Sequence, residues 1–158
     1  MNTTNRFIQA GRAKQLNGTV TAPEQAGLKF VLNAVSQNGE FKAPLDTLLT
    51  KRWSKTKEDY KGWYATQHNF KMGSLHDTAV ASDTWVVSML VKDKDGVVDT
   101  VALATAMKKL TAMCKYEHAS VHVSNLLLAD VPALGDLIKT ALLDEGINVY
   151  FYSDTSAT

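Results

Sequence analysis

An α/β fold with a mixed central sheet and helices on both of its faces is predicted by three features of the 158-residue sequence. The second half alternates strand-like and helix-like stretches: "TWVVSMLV", residues 99–117, "ASVHVS", "VPALGDLIKTALLDEG" and "INVYFYS". A strand–helix–strand–helix–strand order implies right-handed crossovers and a sheet that is at least partly parallel. "GLKFVLNAV" (27–35) is apolar almost throughout, as expected of a strand covered on both faces. "GSLHDTAVAS" and "TWVVSMLV" are two strand-like runs separated only by a turn around Ser82 and Asp83.

Taken in order, "RFIQAG" (6–11) is the expected first strand and 27–35 the second. "SQNGEFKAP" reads as a turn-rich loop. In "PLDTLLTKRW" (44–53), Leu45, Leu48, Leu49 and Trp53 recur at helical spacing, and Pro44 suits a first helical position. Ser54 is placed to cap a following short helix that buries Tyr60, Trp63 and Tyr64. After the paired strands comes a loop, "DKDGVV" (93–98). The clearest helix spans 99–117: Asp99 or Thr100 caps it, and Leu103, Met107, Leu110 and Cys114 return every three or four residues. "VHVSNLLLADVPAL" (121–134) reads as a buried apolar strand, with Asp130 and Pro132 opening the next helix. Gly146 ends that helix before the closing strand.

The length fits one domain spanning 1–158, with a polar tail at 153–158. Lys plus Arg is 17 against 16 for Asp plus Glu, which supplies no global basic field for nucleic acid. One local basic run, "TKRWSKTKEDYKGW" (50–63), interleaves Lys51, Arg52, Lys55, Lys57 and Lys61 with aromatics. A solvated helix face explains it better than a base-stacking platform. A single cysteine excludes disulfides within the chain and suits a reducing, cytoplasmic setting. No apolar run reaches the length of a membrane span, so no membrane association is expected.

No self-sufficient catalytic motif is present: neither a Walker A loop, nor G-x-G-x-x-G, nor G-x-S-x-G. His68, His76, His118 and His122 are scattered, so no metal site is expected, and His122 reads as a core histidine bonded to a neighbour. Cys114 lies on an apolar helix face and reads as core. In an open α/β sheet a ligand crevice lies beyond the carboxyl ends of the strands, where Asn33, Lys92 and the segment 124–130 would gather.

The phrases "RFIQAGRA", "FVLNAVSQNGEF", "LLTKRWSKTKEDYKGWY", "FKMGSLHDTAVASDTWVVSMLV" and "INVYFY" together resemble the macro domains over about Phe7 to Tyr152. The resemblance is nearest the branch that hydrolyses terminal ADP-ribose and ADP-ribose-1″-phosphate, and it implies a three-layer α/β/α architecture. It also implies an ADP-ribose-like small-molecule ligand and no cofactor. By this resemblance Gly11 marks the first-strand turn, where Arg12 replaces an acidic residue that holds adenine. Asn33 corresponds to the asparagine that helps hold the distal ribose, and Gly39 to the remaining glycine of the loop around the diphosphate. Lys92 falls where that branch has a lysine able to attack the sugar, and Asp130 within a residue of an aspartate that supports turnover. The family's glycine-rich phosphate loop is replaced by "SNLLLA", which Ser124 and Asn125 open, and Asn125 could help orient a ribose.

Leucines put branched bulk where backbone N–H groups would need to approach a phosphate. Two functions follow. One is an ADP-ribose binder or hydrolase with a remodelled pocket, in which Arg12 and the lysines of 51–61 supply charge that the loop has lost. The other is a catalytically inactive macro-like interaction protein, of the kind a virus uses as an accessory, with a closed pocket and a protein partner on 50–64 or on the loop 36–43. A third reading, nucleic-acid binding through 51–61, is the weakest.

Overall fold

The computed structural model describes residues 9–155. Six strands form one sheet: β1 (Ala13–Leu16), β2 (Lys29–Ser36), β3 (Leu75–Ala81), β4 (Thr84–Lys92), β5 (Ser120–Ser124) and β6 (Val149–Tyr152), in the spatial order β1-β6-β5-β2-β4-β3. Every pair is parallel except β3 against β4. The helices are α1 (Pro44–Arg52), α2 (Lys55–Thr66), α3 (Thr100–Glu117), α4 (Asn125–Asp130) and α5 (Ala133–Ala141), with a 3-10 turn at Leu143–Glu145. The sheet is mixed, as expected, and the carboxyl ends of its five mutually parallel strands share one edge.

All eight residues of β2 are buried. Register between β2 and β4 aligns Asn33 with Ser88 and Val35 with Leu90. The face that carries Asn33, Val35 and Leu90 is covered by α1 and α2, through Asp46, Tyr60 and Trp63. The opposite face packs against α3 and α5, which are tied together where Thr111 Oγ1 donates to the Ala141 carbonyl at 2.6 Å. Asp99 caps α3 by accepting from the Val101 and Ala102 N–H groups, both at 3.0 Å. His122 is a core histidine. Tyr152 donates its hydroxyl proton to Gln25, so His122 Nδ1–H donates to Tyr152 (2.7 Å) and Nε2 accepts from Ser120 (2.8 Å). Burial, then the nearby Lys29 charge, pulls the imidazole down to about 3.

Five expectations need correction. Among the described residues the first strand is Ala13–Leu16; of the expected 6–11, residues 6–8 lie outside the described residues and 9–11 are not strand. Residues 126–128 are neither strand nor loop. β5 stops at Ser124, and α4 starts at once because Ser124 Oγ accepts from the Leu126 N–H at 3.1 Å. The fifth helix then begins at Ala133 and breaks after Ala141 into the 3-10 turn that Gly146 closes. Finally, Ser54 makes no side-chain cap, and Tyr64 is 38% exposed rather than buried, with its ring beside Gly39.

Candidate functional site at the carboxyl edge of the sheet

β4 ends at Lys92, whose ammonium meets the Asp130 carboxylate at 2.5 Å from the last residue of α4. The lysine side chain is 9% exposed and that of Asp130 31%, so the pair is sheltered but reachable. Residues 38 positions apart meet because β5, parallel to β2 and following the α3 crossover, delivers α4 to the same edge.

A second acidic group lies beside them. Asp46, in the first turn of α1, is only 3% exposed. Its Oδ2 accepts from the Ala43 N–H (3.0 Å), the reach-back half of a capping box, and its Oδ1 accepts from Asn33 Nδ2 (2.8 Å). Burial pushes the Asp46 carboxyl up to about 6. The two hydrogen bonds and Lys92 pull the other way, and Asp130 adds to the push. No sequence motif announced Asp46. The available signal was its position three residues after Ala43 at a helix start, directly after a strand whose asparagine faces that helix.

The loop after β2 is pinned from below. Tyr60 donates to the Ser36 carbonyl at 2.5 Å and accepts from the Gly39 N–H at 3.0 Å. The Gly39 carbonyl accepts from Lys61. Gly39 has φ +83°, and a Cβ there would meet the Tyr64 ring at 2.8 Å, so glycine is required by packing and its N–H and C=O are already engaged.

The remaining candidates are spread out. Asn125 spends its amide on the Asp154 backbone, donating at 3.1 Å and accepting at 2.6 Å, and Ser124 is fully buried as the α4 cap. Gly11 and Arg12 precede β1 and lie at the amino edge of the sheet, opposite Lys92. The Gly11 N–H bonds the Leu143 carbonyl at 2.7 Å, and the Arg12 N–H bonds Asn148 Oδ1 at 2.9 Å. A Cβ on Gly11 would lie 2.0 Å from the Ile147 carbonyl oxygen, which gives this glycine a packing role. The turn that follows β1 is Asn17–Gly18, and the acidic side chain beside it is Asp154, which accepts from Thr19 at 2.5 Å. Of the eight residues expected at the site, Asn33, Lys92 and Asp130 gather around Asp46.

No family model matches the chain, and no curated protein matches it. Its structure is nonetheless shared. A macrodomain protein from Streptomyces coelicolor superposes with a TM-score of 0.81 at 22% identity, covering 91% of this chain and 100% of that one. The chain has the macrodomain fold. The macrodomain of Thermus aquaticus DarG gives a TM-score of 0.70 at 14% identity over 91% of this chain and 99% of the other. Thermosipho africanus DarTG, in complex with ADP-ribose, gives 0.65 at 13% identity over 80% of this chain and 38% of its own length. In this macrodomain fold residues 125–130 are helical, with Leu127 fully buried. Among the described residues no cluster of three or more His, Cys, Asp or Glu side chains could hold a metal ion, and no helix is long and apolar enough to cross a membrane.

Proposed function

We propose that the chain binds an ADP-ribose-type ligand at the carboxyl edge of its sheet and cleaves a bond at the C1″ position of the terminal ribose. The observation that carries this reading is the Lys92–Asp130 contact at 2.5 Å, with Asn33 and the buried Asp46 beside it. Support comes from the fold shared with Thermosipho africanus DarTG in its ADP-ribose complex. A sheltered lysine becomes a nucleophile once it gives up a proton, and the Asp130 carboxylate in contact with Nζ is the acceptor the reading assigns to that proton.

In this reading Lys92 passes one proton to Asp130, and its neutral Nζ attacks C1″. The N–C1″ bond forms as the C1″–O bond breaks, and the electron pair leaves with the departing phosphate or carboxylate. Water then adds to C1″, the N–C1″ bond breaks, and Lys92 recovers as the ammonium. Asp130 releases the proton it held, so the net change is hydrolysis. Asn33 orients the ribose.

A second reading, an interaction protein with a closed pocket, is favoured by one observation: α4 stands where the macro domains resembled here carry a glycine-rich phosphate loop, and a helix of leucines offers no backbone cradle. A thermal-shift titration with ADP-ribose and ADP-ribose-1″-phosphate separates the two, because a ligand that binds only the folded state raises the melting temperature. A dose-dependent rise that Lys92→Ala and Asn33→Ala abolish, with phosphate released from ADP-ribose-1″-phosphate, supports hydrolysis. A flat response at millimolar ligand leaves the interaction reading standing.

A further inference from the structure

Asn33 can present either of two faces to a ligand, and Asp46 decides which. An ionised carboxylate only accepts hydrogen bonds, so the Asn33 side chain must turn its NH2 group towards Asp46 Oδ1, as it does at 2.8 Å. Asn33 Oδ1 then has no hydrogen-bond partner among the described residues. It is left as an acceptor, the polarity that a ribose hydroxyl donor requires. Asp46 also holds the Ala43 N–H on its second oxygen, so its two oxygens serve two different donors.

We infer that Asp46 is a positioning residue for the site proposed above, its ionised carboxylate fixing the Asn33 amide so that Oδ1 accepts from a ligand hydroxyl. The inference rests on that reading for the identity of the ligand, though not for the orientation of Asn33. A proton on Asp46 turns one accepting oxygen into a donor. Either the Ala43 N–H or the Asn33 NH2 then loses its partner, and Asn33 can rotate to present NH2 instead of Oδ1. The charged and titratable groups around Asp46 are Lys92 from β4, Asp130 from α4 and Tyr60 from α2. Lys92 favours the ionised form, while Asp130 opposes it. Burial places the exchange at about 6, inside the range in which a folded protein is readily studied.

The test has two arms on the intact chain. In the first, the side-chain amide signals of Asn33 are followed by NMR from pH 4.5 to 8 without ligand. They should move with a midpoint near 6 and should be flat in Asp46→Asn, whose single accepting oxygen cannot serve both donors at any pH. In the second, ADP-ribose affinity is measured by calorimetry at pH 8 and pH 5. Wild type should lose affinity by about tenfold over that interval, as one linked proton requires, while Asp46→Asn should be weak and flat throughout. Asn33 signals that ignore pH in wild type, or an Asp46→Asn protein with wild-type affinity and profile, overturn the inference. If wild type binds nothing at pH 8, the ligand reading fails, and the Asn33 titration still decides the role of Asp46 by itself.

Discussion

Replacing Asp46 by asparagine should make the protein more stable at pH 8 and should lose that advantage in acid. The folded carboxyl titrates at about 6, above its usual 3.8, because burial penalises the charge. Below 3.8 the group is neutral in both the folded and unfolded chain and costs nothing. As pH rises from 3.8 to 6 the unfolded chain ionises first, so wild type loses stability, and above 6 the penalty is complete. At 1.36 kcal/mol per unit, the two-unit shift amounts to about 3 kcal/mol, of which about 2 kcal/mol develops between pH 4 and pH 8. The Asp46→Asn variant still loses one acceptor for the Ala43 N–H or Asn33, worth about 1 kcal/mol, but that loss is nearly the same at both pH values. The informative quantity is therefore the change in the wild-type-to-mutant difference between pH 4 and pH 8, measured by urea denaturation. It should shift in favour of the variant by about 2 kcal/mol on going to pH 8. A difference independent of pH would show that Asp46 is not a strained buried carboxylate, and would remove the exchange of Asn33 orientation expected near pH 6.

Other perturbations check separate parts of the structure. His122, held neutral by burial, works in the opposite sense: its unfolded form takes up a proton first as pH falls below 6.5, so it lowers stability by about 2 kcal/mol at pH 5. The two groups offset each other between pH 4 and 6, so acid sensitivity should grow in Asp46→Asn, which a series of denaturation curves across that range would reveal. Gly11→Ala should cost about 2 kcal/mol or more, since its Cβ meets the Ile147 backbone, yet leave ADP-ribose affinity unchanged. Lys92→Met leaves the Asp130 and Asp46 carboxylates without their shared cation, and the Asp46 carboxyl signal should then titrate above 6 by 13C NMR. Leu127→Ala should cost about 2 to 4 kcal/mol in thermal denaturation, because this fully buried side chain is part of the core.

Where a local pattern had only one solution, the sequence was readable. The apolar run of β2, the periodicity of α3 with its Asp99 cap, and Gly146 after the last helix all act through neighbours in the chain. The convergence of Asn33, Lys92 and Asp130 was legible for a similar reason, since parallel strands deliver their carboxyl ends to one edge. Failure came where tertiary context overrode a local pattern. Leu126 to Leu128 fit a buried strand as well as a buried helix, and one hydroxyl, Ser124 Oγ, decides for the helix. The strand "AKQL" was passed over because it is less apolar than the segment before it, whereas β1 is an edge strand that needs little burial. Asp46 went unseen because a carboxylate in a first helical turn is ordinarily solvated. Only the β2 asparagine opposite makes this one a buried acceptor.

The most direct test of a ligand site at the carboxyl edge is an NMR titration of the 15N-labelled chain with ADP-ribose at pH 8. Backbone amides of residues 33–46, 92–93 and 124–130 should shift together, and Lys92→Ala should suppress the response. A protein that gives no shifts at millimolar ligand would contradict the site. So would shifts confined to the amino edge, around the cavity of about 410 Å³ lined by Lys115, His118 and Asn148.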